Sequence, residues 1–89
     1  MPTVEFAKSL RRHVDCAAQQ VPPGSLRQVL EAALTAAPAL ARYVFDDQRS
    51  VRKHVAVFVN ADMVHDRLRL DRPVGEGDTV LVIQALSGG

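Results

Sequence analysis

An 89-residue chain with 47% hydrophobic and 24% charged residues carries apolar material for one small core, which argues against both disorder and several domains. Eleven basic and ten acidic residues leave a net charge of +1, so no general electrostatic pull toward nucleic acid exists. Aromatics at 4% give no base-stacking platform, and no apolar run reaches the roughly 18–20 residues that span a bilayer.

A single cysteine, Cys16, cannot form an internal disulfide, so folding does not require an oxidising compartment. The opening Met1-Pro2-Thr3-Val4-Glu5-Phe6 lacks the charged-then-apolar layout of a secretory signal. Cytoplasmic residence is the resulting expectation, with neither membrane nor nucleic acid as a partner.

In chain order, Thr3-Val4-Glu5-Phe6 alternates polar and apolar, which predicts a half-buried first strand with Val4 and Phe6 inward. Lys8–His13 reads as a polar loop, and Val14–Val21 as the returning strand of a hairpin. Pro22-Pro23-Gly24 breaks the chain. Ser25 is then an N-cap, and Gln28 three residues on completes a capping-box pattern. Leu26, Val29, Leu30, Ala33, Leu34 and Ala37 follow the spacing of one buried helical face, and Pro38 closes the helix.

Ala39–Phe45 fits a helical turn or a short strand, with Leu40, Val44 and Phe45 toward the core. Asp46-Asp47-Gln48 is a turn. The basic stretch Arg49–His54 beside it reads as a solvated loop. Val55-Ala56-Val57-Phe58-Val59 is apolar on both faces, the mark of an inner strand. Asn60-Ala61-Asp62 turns the chain into a short strand at Met63-Val64. Pro73–Asp78, with Gly75 and Gly77, leads to a last strand over Thr79–Ile83.

This order predicts an α+β domain over residues 1–84, a mixed four- or five-stranded sheet with one main helix on one face. Residues 85–89 are expected to form a flexible tail ending in Gly-Gly. The last strand is apolar in both registers. Val80 and Val82 can face the helix, while Leu81 and Ile83 either pack under the 39–50 segment or form a patch for a partner.

Motifs for catalysis are missing. His13, His54 and His65 lie far apart without paired cysteines, which argues against a zinc site. Cys16 has no activating neighbour motif. Gly75-Glu76-Gly77-Asp78 has Val80 at the third glycine position of a dinucleotide loop and precedes a strand, so it is a turn. No phosphate-binding G-x-x-x-x-G-K-[ST] loop occurs. These absences point to a protein that is not itself an enzyme, and leave the C-terminal carboxylate of Gly89 as the candidate reactive group.

Several stretches together resemble the ubiquitin-like sulfur carriers of the ThiS/MoaD family, relatives of the thiamine-pathway carrier and of the molybdopterin synthase small subunit. They are Val4–Phe6, the capped helix Ser25–Ala37 with Pro38-Ala39-Leu40, and Val55–Asn60. The strongest match is Glu76-Gly77-Asp78-Thr79-Val80 followed by Leu86-Ser87-Gly88-Gly89. The resemblance implies a β-grasp fold and activation of Gly89 as an adenylate and then a thiocarboxylate. It also implies an E1-like adenylating partner that uses ATP, and a sulfur-accepting synthase. A sulfurtransferase, or a metalloprotease that trims the tail, completes the implied partners. The chain itself is expected to bind no cofactor and no metal.

In that reading Leu86, Ser87, Gly88 and Gly89 thread the partner's active site, where glycine avoids Cβ clashes. Met63, Leu81 and Ile83 are the candidate docking face, and Ile83 stands where the molybdopterin-type carrier has an aromatic contact. Gln84 replaces a proline common in the family, and Ala56 an asparagine, which weakens assignment to the molybdopterin branch. A ubiquitin-like modifier, joined through Gly89 to target lysines, is the competing reading, because adenylation begins both routes. A plain interaction domain with an incidental Gly-Gly end is a third.

Overall fold

Residues 1–7 and 18–84 are described in a computed structural model of the chain. Strand β1 (Thr3–Phe6) turns Val4 and Phe6 into the core, as its alternation requires. Of the predicted return, β2 (Gln19–Gln20) pairs antiparallel with β1, while residues 8–17 lie outside the described residues. A separate two-stranded ribbon joins β3 (Gly24–Ser25) to β6 (Pro73–Val74).

Helix α1 (Leu26–Thr35) starts where the sequence places its cap. Ser25 Oγ accepts from the Gln28 N–H, and the Gln28 side chain accepts from the Ser25 N–H, the reciprocal capping box. Leu26, Val29, Leu30, Ala33 and Leu34 are buried along one face, with Ala37 just beyond the end. Pro38 acts less as a stop than as a start. It occupies the first turn of α2 (Pro38–Val44), where its missing N–H is an orphan donor in any case. The undecided segment is thus helical through Val44, while Phe45 is extended and bridges to Val51, and Leu40 and Val44 enter the same core as α1.

The remaining strands are β4 (Val55–Val59), β5 (Asp62–Val64) and β7 (Thr79–Gln84). They complete a five-stranded mixed sheet ordered β2-β1-β7-β4-β5, with β1 parallel to β7 and the other pairs antiparallel. Asn60 turns β4 into β5 at φ 57°, a left-handed value that asparagine tolerates. Asp62, read as part of that turn, already pairs with Val59.

Val4, Phe6, Val55, Val57, Val59, Val80 and Val82 face the helices and form one core with them. Full burial of side chains such as Leu26, Leu30 and Leu40 is worth roughly 1.5–3 kcal/mol each. Among the described residues no buried side chain is polar or charged. The result is a β-grasp domain, a sheet with the two described helices on one face.

Candidate functional site

The second face of the sheet follows from register. Cross-strand partners share a face, so Glu5, Leu81, Phe58 and Met63 stand in one row across β1, β7, β4 and β5. Ile83 and Ala56 form the neighbouring pair. Leu81, Phe58 and Ile83 are half-buried, Met63 is 42% exposed, and Ala56 is buried without joining the helix-side core. The structure therefore brings together the three residues singled out for docking, Met63, Leu81 and Ile83. It adds Phe58, which sequence reasoning assigned only to an inner strand; its two-strand register between Leu81 and Met63 is the signal that was missed.

The question left open for Leu81 and Ile83 has an answer in α2. Leu40 and Val44 turn toward Val80 and Val82, so the 39–50 segment packs on the helix side of the sheet. The outer face is apolar and not covered by that segment. Leu86, Ser87, Gly88 and Gly89 lie outside the described residues, as do His13 and Cys16.

The base of the tail is firmly built. Gln84 pairs with Val55, and every residue from Val80 to Gln84 has a β4 partner. At the other end of β7, Asp78 Oδ2 accepts from the Gly75 N–H at 2.9 Å and its Oδ1 accepts from Asn60 Nδ2 at 3.2 Å. The Asn60 side chain in turn accepts from the Thr79 N–H at 3.1 Å. The Gly75 N–H and the Asn60 amide hold the Asp78 carboxyl below the usual carboxylate range. Gly77 takes φ 79°, which the turn into β7 needs and a side chain resists. The two stretches Val59-Asn60 and Gly77-Asp78 are thus one hydrogen-bonded joint that fixes where the last strand begins.

The segment beside the tail's exit is braced as well. Arg67 Nη1 donates to the carbonyls of Arg52 and Val55, at 2.6 and 2.8 Å, and Arg52 Nε donates to the Arg42 carbonyl at 2.7 Å. Asp66 accepts from the N–H groups of Leu68, Arg69 and Leu70. Partial desolvation pushes its carboxyl up, and those three donors together outweigh it and set it lower than usual. Among the described residues no group of three His, Cys, Asp or Glu side chains is placed to hold a metal ion. No described helix is long and apolar enough to cross a membrane.

No curated protein matches the sequence at a significant level. Solved structures do match the fold. SAMP1 of Haloferax volcanii aligns with TM-score 0.80 at 21% identity, over 99% of this chain and 98% of that one. A chain of the Amycolatopsis orientalis BexX/CysO complex aligns with TM-score 0.76 at 21% identity, over the full length of both. Urm1 of Sulfolobus solfataricus aligns with TM-score 0.67 at 14% identity, over 93% of this chain and 99% of that one. At such identities these likenesses speak for the shared β-grasp fold. The profile of the ThiS family matches residues 10–89, through the last glycine, and the chain belongs to the ThiS family of β-grasp, ubiquitin-like carrier proteins.

Proposed function

We propose that this chain is activated at its own C-terminus, with the Gly89 carboxylate as its only reacting group. The observation that carries the reading is the family match running through Gly88 and Gly89, a few residues after a strand paired with β4 from Val80 to Gln84. A carboxylate is a poor acyl donor because oxide leaves poorly. In the first step a carboxylate oxygen attacks the α-phosphorus of ATP on an E1-like partner, and pyrophosphate departs. The acyl adenylate then has AMP as a good leaving group.

Two outlets follow. A sulfur nucleophile displaces AMP to give a thiocarboxylate, which passes its sulfur to an accepting synthase. Alternatively the acyl group moves to a lysine amine and forms an isopeptide. Membership in the ThiS family favours the first outlet. The conjugation outlet has the broader support, since several structural relatives bear the name small archaeal modifier protein 1. We therefore favour a modifier that shares its activation step with the sulfur carriers.

Docking is assigned to the outer sheet face, with Leu81, Ile83 and Met63 as its apolar contacts. Ordering the tail in a channel costs conformational entropy, and burial of that face on the partner offsets it. The test is a product analysis. The chain is incubated with ATP, a sulfur source and an adenylating enzyme of its source organism, followed by intact mass; lysine-linked conjugates are sought in extract by mass spectrometry. Lysines joined by an isopeptide to this chain's C-terminal peptide, with no thiocarboxylate, support the modifier, and the mass gain of one oxygen exchanged for sulfur, without conjugates, supports the carrier. Unchanged function after removal of Gly88 and Gly89 would sink both.

A further inference from the structure

Beside Gln84, where the described strand ends, lies a concavity of about 340 Å³ lined by Arg42, Tyr43, Arg52, His54, Val55 and Gln84. Two arginines and a histidine face it, and among the described residues no carboxylate lines it. Lys53 stands between Arg52 and His54 in the same exposed turn. Arg42 also borders a neighbouring groove with Asp46 and Glu31, and both of these acids are engaged: Asp46 caps its own loop by accepting from the Gln48 and Ser50 N–H groups. Glu31 pairs with Arg27 and Arg49. Among the described residues, Arg42, Arg52 and Lys53 belong to no ion pair.

In a chain of net charge +1 this is a local concentration of cations, and it is held in place. Arg52 is tied through its N–H to the Val44 carbonyl at 2.9 Å and through Nε to the Arg42 carbonyl, so the turn and the end of α2 form one unit. The cations are thus presented on a fixed base.

We infer that this cationic saddle at the root of the tail docks a carboxylate-rich rim around the mouth of the activating partner's channel. The inference rests on the reading that a partner activates Gly89. Reach decides which anion is meant. Five residues follow Gln84, and an extended chain covers at most about 3.3–3.6 Å per residue, so a fully extended tail would carry Gly89 up to roughly 17 Å beyond the saddle. That exceeds the screening length of about 8–10 Å at physiological salt. A nucleotide phosphate meeting Gly89 in an extended tail is therefore out of range of Arg42 and Arg52, whereas protein surface around the channel entrance lies against them. Charges in such a rim position act on encounter and on salt dependence rather than on chemistry.

The test is the rate of ATP–pyrophosphate exchange by an adenylating enzyme of the source organism, measured against concentration of this chain from 20 to about 200 mM salt. Arg42→Glu/Arg52→Glu is expected to raise KM about tenfold or more at low salt, to leave kcat within about twofold, and to flatten the salt dependence. Arg42→Lys/Arg52→Lys retains most of the wild-type KM, and Arg69→Glu, away from the saddle and equal in charge change to Arg42→Glu alone, leaves it alone. Circular dichroism checks each variant; if the double reversal unfolds, Arg42→Glu alone replaces it. Wild-type KM in the reversed variant, or a loss confined to kcat, overturns the inference.

A titration of the isotope-labelled wild-type chain with a hexaglutamate peptide, followed by amide shifts, keeps the two readings apart. Shifts confined to Arg42, Tyr43, Arg52, Lys53 and His54 are expected, and their absence overturns the saddle even where exchange is robust. Absence of exchange with every adenylating enzyme of the organism defeats the activation reading instead, and the titration then decides by itself whether the saddle takes carboxylates.

Discussion

Asp78 shows how one side chain sets the geometry of the strand that leads to the tail. Its two carboxylate oxygens serve different donors, the Gly75 N–H and the Asn60 amide, so both must be acceptors at once. Asparagine keeps the shape but has a single acceptor oxygen, and Asp78→Asn must abandon one of the two bonds. Because the folded-state pKa is depressed, the carboxylate contributes stability above its unfolded value near 3.9, and that contribution is lost as pH falls through the folded value. Asp78→Asn is therefore expected to lower Tm at pH 7, with the gap to wild type narrowing as the pH is taken below about 4. A gap independent of pH would mean that shape, not charge, carries the joint. Asn60 and Asp78 were legible in the sequence as turn residues. Their meeting was not, since eighteen positions separate them and only the sheet brings them together. Leu70 was less legible still. It is a buried leucine at φ 53°, a conformation that costs a residue bearing a Cβ roughly 1–2 kcal/mol and leaves no trace in hydropathy.

Among the elements, α1 was the most readable because its signals agree: cap, periodicity and alanine content all specify the same helix. Every residue placed on its buried face is buried. Ser25→Ala removes the acceptor for the Gln28 N–H and is expected to cost about 1 kcal/mol, measured by urea denaturation, with an unchanged slope. Gln28 is the internal check, since Gln28→Ala breaks the reciprocal bond and leaves the Ser25 acceptor in place. Helix α2 was harder to read because seven residues hold too few turns for a period to stand out, and a proline between two helical runs signals both an end and a beginning. Strand β7 was readable as a buried strand but ambiguous in facing, since Val80, Leu81, Val82 and Ile83 are all apolar. Only the location of α2 distinguishes them: helices on one side bury Val80 and Val82 completely and leave Leu81 and Ile83 half-buried.

At the scale of the molecule, on the docking proposed above, that two-sidedness separates what folds the domain from what its partner would hold. Adjacent residues on one strand belong to different jobs, and substitutions on the two faces should have opposite signatures. Leu30→Ala, under the sheet, deletes methyl groups from a fully buried site and is expected to cost about 2–5 kcal/mol, while activation by the adenylating partner stays normal below the lowered Tm. Ile83→Asp, on the outer face opposite Ala56, is expected to keep the circular dichroism spectrum and most of the stability, yet to raise KM for activation at least tenfold. The defect should be additive with reversal of Arg42, because an apolar face and a charged rim without shared contacts contribute independently. If Ile83→Asp unfolds the chain, Ile83 is a core residue and docking falls to Phe58 and Met63 alone. If it folds and is activated normally, the outer face is not where the partner binds, and the tail with its cationic root must carry recognition without it.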